Sequence, residues 1–211
     1  MTAAHPYRLV IFDFDGTLGD SGEWFLSIID DLADRFRFRR VDRAEIETLR
    51  RRPTREVIRY LGIPGWKLPL ISRHVRARFH RDASRIRTFD GVRAMLQAVA
   101  DAGIRMMLCS SNAETNVRAV LGADAARFEA YFCGSGLFGK VARFRRAIKL
   151  SGLPPAAILS IGDETRDIDA ARAVGIGAAA VLWGYANPDL LVAMQPDKTF
   201  AAPDDIVAYL T

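Results

Sequence analysis

A fully apolar run, Leu9-Val10-Ile11-Phe12, ends without transition in Asp13-Phe14-Asp15-Gly16-Thr17. Four consecutive apolar residues read as a strand covered on both faces, the pattern of a parallel sheet rather than of a sheet with one wet side. Two carboxylates one residue apart at the end of such a strand are costly to desolvate. A cation or a reaction has to offset them.

The rest of the chain says what kind of sheet receives that strand, which is placed at 7–12. From residue 23 to about 87 the spacing is helical throughout and no strand is expected. Phe25, Ile28, Ile29, Leu32 and Phe36 share one helix face, and Leu68, Ile71, Val75 and Phe79 another. Thr54, behind Pro53, reads as the N-cap of a helix carrying Val57, Ile58 and Leu61. After Phe89-Asp90-Gly91 strands and helices alternate: helices at 92–102, 115–121, 141–151 and 167–174, and strands at 104–109, 128–133, 157–161 and, as the last, 178–183. Such alternation implies a parallel sheet with helices on both faces. The expected fold is therefore α/β, a parallel core made of 1–19 and 88–211, with a small all-helical domain at 20–87 inserted after the first strand.

Composition narrows the class. The chain has 211 residues, half of them hydrophobic, enough for a substantial core, yet no apolar run approaches the ~20 residues that cross a bilayer. The first eight residues carry no segment of leader type. Two cysteines in a chain of this size point to a reduced, cytoplasmic protein. The formal charge of +5 comes mostly from arginines spread along the chain and reads as solvated helix faces; no aromatic interleaving or motif suggests nucleic acid. No membrane partner is expected either, and the protein is expected to be a monomer or weak homodimer.

In open parallel sheets ligands bind beyond the carboxyl ends of the strands. Four such ends carry chemistry here: Asp13, Asp15, Gly16 and Thr17; Ser110, Ser111 and Asn112; Lys140, one of few lysines in an arginine-rich chain; and Gly162, Asp163, Glu164 and, one turn on, Asp167. Together they suit a magnesium ion and a phosphate, since magnesium takes one or two carboxylates with waters and phosphate oxygens. Asp13 and Asp163 supply the carboxylates. Asp13 is placed to attack phosphorus and form an aspartyl-phosphate, and Asp15 to protonate the leaving oxygen and later deprotonate water. Gly16 permits a tight turn. Thr17 is either a turn hydroxyl or a phosphate contact. The Ser110 hydroxyl, with Ser111, Asn112 and nearby amides, suits phosphate oxygens, and Lys140 suits the charge developing in transfer.

Asp13-Phe14-Asp15-Gly16-Thr17-Leu18 resembles motif I of the haloacid dehalogenase superfamily, Ser110 its motif II (with Ser111 as the alternative hydroxyl), Lys140 motif III, and Gly162-Asp163-Glu164-Thr165-Arg166-Asp167 motif IV, all in order between residues 7 and about 185. The resemblance is to the phosphoglycolate phosphatase and β-phosphoglucomutase branch. It implies a Rossmann-like core, a helical cap between motifs I and II, magnesium, and roles for Asp13 as nucleophile and ligand, Asp15 as acid/base and ligand through its carbonyl, and Asp163 as ligand. Asp167 is expected to position the metal site or Lys140, and Asp20, Glu164 and Thr165 to cap or support.

The expected activity is a magnesium-dependent phosphatase acting on a small phosphorylated metabolite, phosphoglycolate-like or a sugar phosphate. A phosphomutase uses the same groups. A dehalogenase has no need of Asp15 or the metal, and a receiver-type module phosphorylated on aspartate would not interrupt its sheet with so large a helical insertion. Arg51, Arg52 and Arg55, around Pro53-Thr54, are the expected contacts for a second anionic group on the substrate.

Overall fold

The computed structural model describes residues 6–134, 136 and 139–211; the leader reading at residues 1–5 lies outside them. Among the described residues six strands form one parallel sheet: β1 (Leu9–Phe12), β4 (Arg105–Cys109), β5 (Ala130–Phe132), β6 (Ile158–Gly162), β7 (Gly177–Val181) and β8 (Lys198–Phe200), in the order β5-β4-β1-β6-β7-β8. A two-stranded antiparallel ribbon, β2 (Gly19–Asp20) with β3 (Arg87–Thr88), stands apart from it. The parallel sheet is flanked by α5 (Val92–Asp101), α6 (Glu114–Leu121), α7 (Lys140–Ser151), α8 (Thr165–Arg172), α9 (Pro188–Ala193) and α10 (Pro203–Leu210).

β1 is central, paired with β4 on one side (Leu9 opposite Arg105) and β6 on the other (Leu9 opposite Ile158). Its continuous apolar run follows from that position. Val10 and Phe12 pack into the core half that holds Met95, Leu96 and Val99 of α5, Val117 and Leu121 of α6 and Ile206 of α10. Leu9 and Ile11 pack into the other half with Phe144 of α7, Ile168 of α8 and Leu191 of α9. All four side chains are wholly buried, each stabilising the fold by about 1.5–3 kcal/mol.

Between β2 and β3 the chain is helical: α1 (Gly22–Phe36), α2 (Ile46–Arg50), α3 (Thr54–Tyr60) and α4 (Leu68–Asp82). These helices meet the sheet through an aromatic seam in which the Phe79 ring lies 4.9 Å from that of Trp24 and 6.3 Å from that of Phe14.

Three expectations need correction. The strand at 178–183 is not the last, because β8 and α10 follow; β8 is a three-residue edge strand, Lys-Thr-Phe, too short to show a period. The stretch up to 87 is not free of strand, because β3 begins at Arg87; its ribbon is set by pairing with β2 and has no hydrophobic signature. Thr54 is the first residue of α3 and not its cap. Pro53 holds the cap position, and the Thr54 hydroxyl is used elsewhere.

Candidate active site

The Asp13 N–H donates to the Ile161 carbonyl at 2.9 Å, so sheet pairing carries one residue past β1 and fixes Asp13 at the carboxyl edge. The chain then folds back: the Leu18 and Gly19 N–H groups both donate to the Phe14 carbonyl, at 2.9 and 2.8 Å. Inside that loop Thr17 is completely buried and donates its hydroxyl to Asp163 Oδ1 at 3.1 Å. That bond orients a carboxylate from the neighbouring strand, a role not among the two read for Thr17 from sequence.

Asp13, Asp163 and Asp167 are all buried, and a carboxylate oxygen of each lies within 4.8 Å of the others. Lys140, the first residue of α7 and itself buried, stands 2.9 Å from Asp13 Oδ2 and also contacts Asp167 Oδ1. Burial pushes the Asp13 carboxyl up, the Lys140 ammonium pulls it back and Asp167 raises it again; the net direction is upward. Asp163 is pushed well above the usual carboxylate range, by burial first and then by the charges of Glu164, Asp13 and Asp167. Burial opposes the charge on Lys140, but Asp13 and Asp167 more than reverse this and raise it. Arg166 is likewise raised against burial by Glu164, Asp167, Asp13 and Asp163. Two cations thus face Asp13, Asp15, Asp163, Glu164 and Asp167. This all-oxygen, carboxylate-rich donor set fits a hard divalent cation such as magnesium.

Asp15 is handled separately. Ser21 Oγ donates to Asp15 Oδ1 at 2.7 Å, and Asn112 Nδ2 lies 3.3 and 3.2 Å from its two oxygens. The Asn112 amide has no freedom to turn, because its Oδ1 accepts from Ala113 N–H and Asn116 Nδ2, both at 2.9 Å. Burial pushes Asp15 up to about 6, with Ser21 pulling the other way. Ser110 is buried at the end of β4, with its Oγ accepting from Asn112 N–H at 3.0 Å. Ser111 is half-buried, and its carbonyl accepts from Arg76 of α4 at 3.2 Å.

The structure brings Asp13, Asp15, Thr17, Asn112, Lys140, Asp163, Glu164 and Asp167 together. Arg51 pairs with Asp189 at 3.1 Å, both groups exposed. Arg52 lies over the Tyr60 ring at 5.2 Å, and Arg55 is exposed on α3. Glu164, expected to cap or support, takes the Thr54 hydroxyl on one oxygen and Arg166 at 2.7 Å on the other. Sequence reasoning missed Ser21, Tyr185 and Arg50. Tyr185 stands just past β7, where inspection of every strand end would have reached it; Arg50 shows in the sequence only as one of the arginines at 50–55, and nothing marks Ser21.

Residues 10–181 match the sequence profile of the family described as haloacid dehalogenase-like hydrolase. The chain is 31% identical over 206 residues to a phosphoglycolate phosphatase of Synechococcus elongatus, covering 97% of each. It is 28% identical to the tyrosine-protein kinase PtkA of Mycobacterium tuberculosis, covering 91% of this chain and 66% of that one. Among solved structures, a haloacid dehalogenase-like hydrolase from Streptococcus pneumoniae superposes with a TM-score of 0.80 at 17% identity, covering 98% of this chain and 99% of that one.

Proposed function

The chain belongs to the haloacid dehalogenase-like hydrolase family and is a phosphatase of that family, and on that premise we propose that it hydrolyses a small, doubly anionic phosphate ester through an aspartyl-phosphate on Asp13, with magnesium. The observation that carries this reading is the separation of two kinds of carboxylate. Asp13 sits in the Lys140, Asp163 and Asp167 cluster, while Asp15 is drawn aside by Ser21 and Asn112.

In the proposed reaction an Asp13 oxygen bonds to phosphorus as the bond to the leaving oxygen breaks, and Asp15 gives that oxygen its proton. Water then attacks the phosphorus, passing a proton to Asp15, and the bond to Asp13 breaks to release phosphate. Lys140 faces Asp13 and holds charge that builds on the phosphoryl group, with the Ser110 segment as its cradle. Asp13, Asp163 and the Asp15 carbonyl would hold magnesium, which when bound offsets the negative charge shared by carboxylates and phosphate.

The helical segment 20–87 serves in this reading as a cap over the core of 1–19 and 88–211. A phosphorylated carboxylic acid of the phosphoglycolate kind is the proposed substrate, supported by the name of the Synechococcus relative and by the arginines at 51, 52 and 55. Phosphate release from a panel of phosphorylated carboxylic acids and sugar phosphates, with magnesium and with EDTA, tests it. Selective, EDTA-sensitive release from a phosphorylated carboxylic acid is expected. Metal-independent release, or transfer of the phosphoryl group to a second sugar instead of water, would overturn it.

A further inference from the structure

Tyr185 is bonded through three groups to three parts of the site. Its N–H donates to Asp163 Oδ2 at 2.8 Å, its phenol oxygen lies 2.5 Å from Ser21 Oγ, and its carbonyl accepts from Arg50 Nε at 2.8 Å. Arg50 also donates to the Gly184 carbonyl at 3.0 Å, and its own carbonyl accepts from Asn187 N–H at 2.9 Å. One residue at the end of α2 thus clamps the loop that follows β7. That loop has no slack. A Cβ on Gly184 would lie 2.2 Å from Asp163 Cβ and 2.5 Å from the Gly16 carbonyl.

Proton counting gives the hydroxyl chain a direction. Ser21 donates its single hydroxyl proton to Asp15 Oδ1, so the phenol of Tyr185 must donate to Ser21. Asp15 Oδ1 then holds Ser21 and Asn112, whereas Oδ2 holds Asn112 alone. The less encumbered oxygen is the one available for proton exchange with a substrate.

Ser21 also breaks a local rule. It occupies the N-cap of α1 but makes no side-chain cap bond, although serine is among the residues that most favour that position. Its hydroxyl is committed to Asp15 instead, at the point where the helical segment begins. Local rules are broken in this way where function requires it.

We propose that Tyr185 is a positioning residue for the Asp15 carboxyl, acting through Ser21, and that Arg50 completes the chain by fixing Tyr185. This rests on the reading of Asp15 as the acid/base. Tyr185 touches no reacting atom. Its effect is on how well the leaving group is protonated.

The test is kcat/KM in magnesium on aryl phosphates whose leaving groups run from p-nitrophenol to phenol. This parameter extends through cleavage of the leaving-group bond, and phenolate needs a proton far more than p-nitrophenolate does. Tyr185→Phe is expected to lose ~10-fold more on phenyl phosphate than on p-nitrophenyl phosphate. Ser21→Ala should do the same, and the double variant should add nothing, because both act on one chain. Arg50→Ala should show the same discrimination. Equal losses of Tyr185→Phe across the series, or additive effects in the double variant, overturn the proposal. Asp15→Asn separates the two levels. If it shows no leaving-group dependence, the acid/base reading fails and takes the proposal with it; if it does while Tyr185→Phe does not, the proposal alone falls. Should Tyr185→Phe fail to fold by thermal melting, Ser21→Ala and Ser21→Thr decide: the threonine keeps the hydroxyl and should restore the wild-type leaving-group dependence, and an alanine variant with that dependence intact sinks the proposal.

Discussion

A Cβ placed on Gly16 would lie 2.1 Å from Asp163 Oδ2. The backbone of the β1 loop therefore lies directly against the carboxylate that ends β6, and Asp163 cannot move aside because Thr17 and the Tyr185 N–H hold both of its oxygens. Gly16 also has φ +78°, a conformation that penalises any side chain. Gly16→Ala is expected to destabilise the protein by about 1–3 kcal/mol, the scale of a forced left-handed residue, and to cut magnesium-dependent turnover of p-nitrophenyl phosphate ~10-fold or more. A thermal melt and one rate measurement check it; an alanine variant with normal turnover would show that this contact does not set Asp163.

Asp13→Asn removes the attacking oxygen while keeping shape. Phosphate release is expected to fall below detection with the circular dichroism spectrum unchanged. In the unsubstituted chain, rapid acid quench with labelled substrate should trap one acyl-phosphate per active site, and the variant should trap none. Turnover in Asp13→Asn would remove Asp13 from the reaction.

Metal should reverse the pH dependence of stability. Burial raises the carboxyls of Asp13, Asp163 and Asp15, the last to about 6. A carboxyl raised in the folded state binds more protons there than in the unfolded chain, so stability falls as pH rises from the ordinary carboxylate range through the raised value. In EDTA, the melting temperature is expected to decrease between about pH 4 and pH 7 on account of these groups. With excess magnesium the decrease should flatten or invert, since the metal needs the carboxylates deprotonated. Parallel pH profiles with and without magnesium would mean that Asp13 and Asp163 do not take the ion.

The arginines at 51, 52 and 55 should separate specificity from chemistry. The Arg51 and Asp189 pair is exposed at both ends, so Arg51→Ala should change stability by less than about 1 kcal/mol. At least one of Arg51→Ala, Arg52→Ala and Arg55→Ala is expected to lower kcat/KM for a phosphorylated carboxylic acid ~10-fold further than for p-nitrophenyl phosphate. Equal effects on the two substrates in all three variants would leave these arginines as surface charge.

The parallel core, its two-sided burial and the meeting of most of the candidate site residues could be read from residue order. An unbroken apolar strand such as Leu9 to Phe12 needs cover on both faces, and the carboxyl end of each strand lies on one edge whatever the details of packing. Asp13, Asp15, Lys140 and Asp163 were legible for that reason, and so was the helical segment, from its 3.6-residue spacing. What could not be read were contacts between residues far apart in the chain. Thr17 with Asp163, Thr54 with Glu164, and Ser21 with Tyr185 are separated by 146, 110 and 164 positions. A hydroxyl carries no period and no charge, so nothing local says whether it will cap a helix, close a turn or hold a distant carboxylate. The short strands β2, β3 and β8 escaped for a related reason: two or three residues pair only because a partner strand is presented to them. Local pattern thus specified which groups meet at the strand ends. Tertiary packing specified how each is oriented, because that depends on which donors the fold brings within hydrogen-bonding reach: Lys140, Thr17 and the Tyr185 N–H of the core hold Asp13 and Asp163, and the helical segment reaches Asp15 through Ser21 and Glu164 through Thr54.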